Sequence, residues 1–403
     1  MADPSEADAR LDHFLAFVGE GLRTDTQRAT FARYAVGLLS DAERKSLEPL
    51  AARSRPDAPG AEHKAFCYLL RDAPWNDRAV RRRALAWALW GAQAAGPVRS
   101  TIVDDTGMLK QGTHSPGVAR QYTGRAGKVT NCQIAVTLAV VTAHDTLPVD
   151  VALYLPSAWA SDASRRAAAL IPETVTFQTK PELAMAMLRA AHAEHVPLGQ
   201  VLLADADYGR SRDFRACAGE VGLRYAVGVH ASQHVWDAAG VWTAPMTAGA
   251  YAALLSPQDF HRIRWRCGRN GQGLSARFAF LRVQVTEEGR EPVRGQDRSE
   301  WLIVEWRAGD AAPAHFYLSD LPARLPRKQL VHWIKERWRT ERMNEDLKGE
   351  VGFDHFEGRS WPGWHHHVTV ALCCYALLVA ERCVAFPPST ARGRDPRTHA
   401  RAA

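Results

Sequence analysis

The sequence predicts an α/β protein: a mixed sheet flanked by helices, with a mostly β insertion and an all-helical N-terminal domain. Three observations predict it. Between residues 97 and 229, apolar runs of strand length alternate with helical segments, the pattern of a sheet covered by helices. From 230 to 320, strand-like runs follow one another, separated by Gly-rich or polar turns. Residues 1–96 read as helix throughout.

In the N-terminal stretch, Leu11, Phe14, Leu15 and Val18 fall at helical spacing, and Ser40 with Glu43 predicts a capping box ahead of Leu47. A last helix from about Asp77 carries Arg78, Arg81, Arg82 and Arg83. That cluster reads as well as a phosphate-backbone contact as it does a solvated face. After Gly96-Pro97 the apolar run 100–104 ends in Asp104 and Asp105. Runs 131–143 and 146–156 are β-rich, and a helix covers about Lys180 to His195. The run 201–209 ends in Asp205 and Asp207, a short helix covers about Arg212 to Val221, and 224–229 is a strand. The insertion at 230–320 holds RIRWRC, ARFAFLRVQV and WLIVEW. Residues 321–386 return to helix, and the Pro-rich basic tail at 387–403 is expected to be disordered. The stretch from Ile334 to about Lys348 has neither Gly nor Pro, which predicts one helix with Arg337, Glu341, Glu345 and Lys348 on one face. Spacing alone favours an ion-paired surface over a site.

Composition narrows the function. At 403 residues, with 46% hydrophobic and 24% charged, the chain is a globular protein long enough for two or three domains. Lys and Arg number 51 against 44 Asp and Glu, and a surplus dominated by Arg suits a polyanion. The seven cysteines are scattered without a CxxC pair, which argues against a disulfide framework or a zinc site. The polar N-terminus reads as no secretory signal, and the apolar run 368–380 is too short for a membrane span, so no membrane partner is expected. No GxxxxGK[ST] phosphate loop appears.

Two strands ending in aspartate, with a glutamate on a later helix, suggest converging oxygen ligands. Carboxylates suit Mg²⁺ or Mn²⁺, and paired ions can stabilise the attacking and leaving oxygens of a phosphoryl displacement. Here the chain resembles bacterial insertion-sequence transposases of the DDE superfamily, in the group with a β-rich insertion before the final glutamate and a Tyr-Arg-Glu-Lys motif. Asp104-Asp105-Thr106 resembles the family's Asp-x-Thr, and Asp205-Ala206-Asp207-Tyr208-Gly209 its second-aspartate motif. Arg337-Trp338-Arg339-Thr340-Glu341, with Lys348 seven residues on, resembles its Arg-Trp-x-x-Glu and lysine. Ile334 stands where the motif has tyrosine. The segments 110–133 and 352–367 are also similar to one subgroup.

The resemblance implies a ribonuclease-H-like core formed by residues 97–229 and 321–386. It implies Asp104, Asp205 and Glu341 as catalytic, metal-binding residues for two Mg²⁺ (or Mn²⁺) ions, and Arg337 and Lys348 as DNA-binding. Its implied reaction is cleavage at transposon ends followed by transfer of the 3′ hydroxyl strand to target DNA. Partners would be double-stranded DNA and a second copy in a synaptic dimer, in the bacterial cytoplasm on the nucleoid. Lys110, Arg120, Arg125 and Lys128 follow the first aspartate and could hold phosphates; a solvated loop is the alternative. Trp301 and Trp306 could stack a displaced base, though core packing explains either better. His365, His366 and His367 are consecutive, point in different directions on a helix, and read as packing or DNA contact, not a metal site. Two rival functions stand beside transposition: a nuclease without strand transfer, and a non-catalytic DNA-binding regulator.

Overall fold

The computed structural model describes residues 4–93, 96–124, 126–238, 244–268, 271–285 and 299–385. Arg125, residues 269–270 and 286–298 of the insertion and the basic tail at 387–403 lie outside the described residues. The chain opens with helices α1 (Pro4–Gly19), α2 (Asp25–Leu39), α3 (Leu47–Ser54), α4 (Pro59–Cys67) and α5 (Asp77–Gln93). Strands β1 (Ser100–Leu109), β2 (Ala119–Thr123), β3 (Lys128–Val141) and β4 (Thr146–Leu153) follow. Helices α6 (Ser157–Ala160), α7 (Ala163–Ala168) and α8 (Lys180–Ala193) lead to β5 (Val201–Ala204), α9 (Ala206–Gly209), α10 (Arg212–Glu220) and β6 (Arg224–Val229). Then come β7 (His234–Asp237), β8 (Met246–Thr247), α11 (Ala248–Ala253), β9 (His261–Cys267), β10 (Gly273–Val285), β11 (Glu300–Trp306) and β12 (His315–Ser319). Helices α12 (Arg327–Glu336), α13 (Trp338–Val351) and α14 (Trp361–Ala385) finish the described chain.

Two compact units result. The first holds residues 1–99, 105–179 and 339–403; the second holds 100–104 and 180–338. Strand β1 is thus shared, with Ser100–Asp104 in one unit and its remainder in the other.

In the first unit, α14 is the central helix. It packs on α5, α2, α1 and β4, and Val368, Val370, Ala371, Cys373, Cys374 and Val379 are buried along it. By length and hydropathy α14 could cross a membrane, but 72% of its apolar window is buried in the protein, as in a core helix. Strand β3 pairs antiparallel with β2 and β4. Residues 1–99 therefore share their compact unit with β2–β4 and α14.

The arginines of α5 act inside this unit. Arg81, 7% exposed, donates to Asp77 (2.7 Å), Thr369 (2.7 Å) and Asp150 (3.0 Å). Arg82 bonds the Val149 carbonyl and Asp150, and Arg83 bonds the Phe17 carbonyl and Glu20. Arg81, Arg82 and Arg83 are thus engaged with the protein itself. Ser40 also departs from expectation. Its hydroxyl donates back to Gly37 O (2.7 Å) and closes the C-terminus of α2, while the capping box sits at Thr24 and Gln27. Asx and Ser/Thr side chains serve either end of a helix, so the motif alone did not fix the direction.

In the second unit the strand order is β1–β5–β6–β12–β11–β10–β7–β8, with β9 on β10. Strands β1, β5 and β6 are parallel; the others pair antiparallel. Helices α8, α9, α10 and α12 accompany the parallel part, α12 lying on β5, β6 and β9. The sheet is mixed and flanked by helices. The β-rich stretch joins it directly, because β12 bonds to β6 from Phe316↔Val229 to Ser319↔Ala226.

The single helix expected from Ile334 to Lys348 is two. Helix α12 stops at Glu336 and α13 starts at Trp338, with Arg337 between them at φ −54°, ψ −29°. That backbone is helical, so propensity gave no warning; a division between compact units falls one residue later.

Candidate active site

The two aspartates are placed by register. Strands β1 and β5 run parallel with Ser100↔Val201, Thr101↔Leu202 and Ile102↔Leu203. Asp104 and Asp205 each lie two residues beyond the last pair. Asp205 keeps extended backbone (φ −81°, ψ −174°), so the period of two carries both side chains to the face of Ile102 and Leu203. Asp105 is one residue out of phase with Asp104. Asp207 has left the strand for the exposed start of α9, where its carboxylate meets His230 Nε2 at 3.3 Å.

Each aspartate is held. Asp205 caps α9: its Oδ1 accepts from the backbone N–H of Asp207 (3.0 Å) and Tyr208 (3.4 Å), which fixes the carboxylate's orientation. Tyr208 is fully buried, and a Cβ on Gly209 would overlap the carbonyl oxygen of Gly228, so the turn closes only on glycine. Asp104 is 7% exposed, and its Oδ1 accepts from Arg337 Nη1 at 3.2 Å. Beside that pair, Ser100 Oγ donates to the buried carboxylate of Glu336 (2.7 Å). Reading the sequence missed Ser100 and Glu336; a serine opening an apolar strand carries no signal of its own.

The remaining site residues lie in the first unit. Glu341 is exposed in the first turn of α13. Lys348, in the last turn of α13, donates to Gly107 O on β1 at 2.9 Å. Lys110 is turned inward, with Nζ on Phe356 O (2.6 Å) and Asp354 O (3.4 Å), and burial pushes its ammonium below the usual lysine range. The same bonds join the two segments, 110–133 and 352–367, that sequence reading singled out separately. Arg120 and Lys128 are exposed on the β2–β3 hairpin.

The histidine run is internal. His367 Nδ1 meets Tyr34 OH at 2.7 Å and its Nε2 meets Gly352 O at 3.0 Å; His366 Nδ1 meets Leu70 O at 2.7 Å and its ring stacks on Trp75. Trp301 and Trp306 each donate to a backbone carbonyl and carry an arginine on the ring, Arg282 and Arg277. Among the described residues, no group of three or more His, Cys, Asp or Glu side chains is gathered closely enough to hold a metal ion.

Comparison with known proteins gives the family. Residues 18–267, more than half of the chain, match the family model described as DDE superfamily endonuclease, and residues 178–377 match that of the transposase DDE domain. The chain is 28% identical over 201 residues to the probable transposase for insertion sequence element IS701 of Microchaete diplosiphon. That similarity covers 50% of this chain and 48% of the relative, so the chain spans about half the length of the curated relative it matches. Asp104 and Asp205 lie within the first matched region, and Asp205, Arg337, Glu341 and Lys348 lie within the second. The chain belongs to the DDE superfamily of endonucleases.

Proposed function

We propose that the chain is a DNA transposase that cuts at the ends of its element and joins the freed 3′ hydroxyl to target DNA. The observation that carries this reading is the β1–β5 register, in which Asp104 and Asp205 each follow the last paired residues by two, Asp104 within β1 and Asp205 just past the end of β5. In parallel sheets the carboxyl ends of strands are where ligands collect. The family resemblance adds Glu341 as the third carboxylate, four positions after Arg337, whose guanidinium donates to Asp104. An all-oxygen carboxylate set fits Mg²⁺ or Mn²⁺. Asp104, Asp205 and Glu341 would hold the ions. Such ions would supply an activated water and stabilise the leaving oxygen.

The chain's own residues do the rest. The Asp205 cap holds one carboxylate in a fixed direction. Arg337 keeps positive charge at Asp104, and a planar guanidinium is suited to a DNA phosphate. Lys348 sits at the Gly107 carbonyl, three residues along β1 from Asp104, and Arg120 and Lys128 offer further cations to the backbone. The basic balance of 51 to 44 favours DNA as partner, and joining two ends calls for two copies of the chain.

The test is to incubate the purified chain with Mg²⁺, duplex DNA bearing its own element's ends, and a target plasmid. Metal-dependent nicks at the ends together with joined products support transposition. Nicks with no joining would reduce the activity to that of a nuclease, and intact DNA would contradict the proposal.

A further inference from the structure

Four consecutive residues across the α12–α13 junction are each gripped by a different side chain of the second unit. Lys335 Nζ lies 2.5 and 2.6 Å from the two carboxylate oxygens of Glu305 on β11. Glu336 accepts from Ser100 and Arg337 donates to Asp104, both on β1. Trp338 carries the guanidinium of Arg266, on β9, 3.7 Å above its ring. Two holds thus come from the strand bearing the first aspartate and two from the β-rich stretch.

The two holds from the β-rich stretch are specifically built. Glu305 is fully buried within the apolar strand WLIVEW, and besides Lys335 it accepts from Tyr317 OH (2.8 Å) and pairs with Arg307 (3.2 Å). Burial opposes its charge, but Lys335, Tyr317 and Arg307 together outweigh burial and keep the carboxyl below its usual range. Lys335 also lies over the rings of Trp265 (4.9 Å) and Phe278 (5.7 Å). The β9–β10 register shifts between Leu274 and Ser275, so Arg264 faces Ser275 while Arg266 faces Leu274. That bulge puts Arg266 on the opposite face from Arg264, where it reaches Trp338. A buried ion pair is a weak source of stability compared with well-packed apolar side chains. What it supplies is direction, and the group it directs is two residues from Arg337.

We propose that Glu305 and Arg266 are positioning residues. Through Lys335 and Trp338 they fix the end of α12, so that Arg337 stays on Asp104 and the β-rich stretch braces the site. This rests on the site reading above.

The test compares the wild type, Glu305→Gln, Arg337→Gln and the double variant. In the DNA-free proteins, amide hydrogen exchange is read at 335–341 and 100–106. Glu305→Gln should speed exchange there about tenfold while leaving β3 and α14 unchanged. On a labelled duplex carrying the element's end, it should lower the slope of log affinity against log salt by about one, as Arg337→Gln does. Combined, the two should lose no more than one alone, because Glu305 acts through Arg337. Wild-type exchange at 335–341 in folded Glu305→Gln, or a slope loss that adds to that of Arg337→Gln, overturns the proposal. If Glu305→Gln does not fold, Trp338→Leu removes the other hold without burying a lone charge and is read the same way. A wild type that shows no salt-dependent DNA binding removes the DNA reading, and the exchange comparison still decides the brace.

Discussion

Lowering the pH should loosen the first unit through His367, and the size of the effect can be worked from its contacts. His367 is fully buried on α14. Its Nε2 faces only a carbonyl acceptor, Gly352 O at 3.0 Å, so that nitrogen carries the proton and Nδ1 accepts from Tyr34 OH at 2.7 Å. The neutral ring satisfies both partners; a second proton would leave a buried charge facing a hydroxyl. Burial therefore lowers the pKa from the ordinary 6.5 to about 4. The folded pKa is depressed, so the unfolded chain takes up the proton first as pH falls. Stability is full above about 6.5, declines towards pH 4 and levels off below it. The gap of about 2.5 units is worth about 3 kcal/mol in all, of which about 2 kcal/mol is lost by pH 5. His367→Gln is the comparison, because glutamine can donate to Gly352 and accept from Tyr34 without titrating. Urea unfolding of both proteins at pH 7 and pH 5 should show the wild type losing about 2 kcal/mol more than the variant. Equal losses in the two proteins would refute the reasoning.

Arg81→Met removes a partner from the buried Asp150 and should destabilise the chain by about 3 kcal/mol in denaturant unfolding. The same variant should keep the wild-type salt slope on DNA, since Arg81 is engaged internally; a drop of about one unit would show a phosphate contact instead. In the native protein, maleimide should label exposed Cys267 first. Cys373 and Cys374 should stay protected until unfolding, as both are buried and burial pushes the Cys374 thiol up to about 12.

The fold was legible where period and chemistry agreed. The β5 strand that ends before Asp205, the alternation between 97 and 229 and the apolar α14 all carry local signals, and the structure places elements there; the run expected to end at Asp104 and Asp105 continues instead as β1 to Leu109. The α12–α13 break was not legible, because Arg337 keeps helical dihedrals and the run carries neither Gly nor Pro to mark it. The roles of Arg81 and Glu305 were hidden for a related reason: a charged side chain's partner is set by tertiary contact, not by its neighbours in sequence. For Glu305 one signal existed, a lone carboxylate inside the apolar run Trp301–Trp306, and it points to a buried partner. The cluster at Arg78 to Arg83 offered no such clue. Arginines on a helix look alike from sequence whether they face phosphate or a buried aspartate.

The central claim, that Asp104, Asp205 and Glu341 act together on DNA through divalent metal ions, is tested most directly at Glu341. Glu341→Gln keeps the side chain's size and removes its charge, while Glu345→Gln, one turn along the same exposed helix, is the control. Both are assayed for Mg²⁺-dependent nicking of element-end DNA, with binding measured alongside. The account predicts that Glu341→Gln binds DNA as the wild type does and does not cut it, and that Glu345→Gln does both. Wild-type nicking by Glu341→Gln in Mg²⁺ would contradict it.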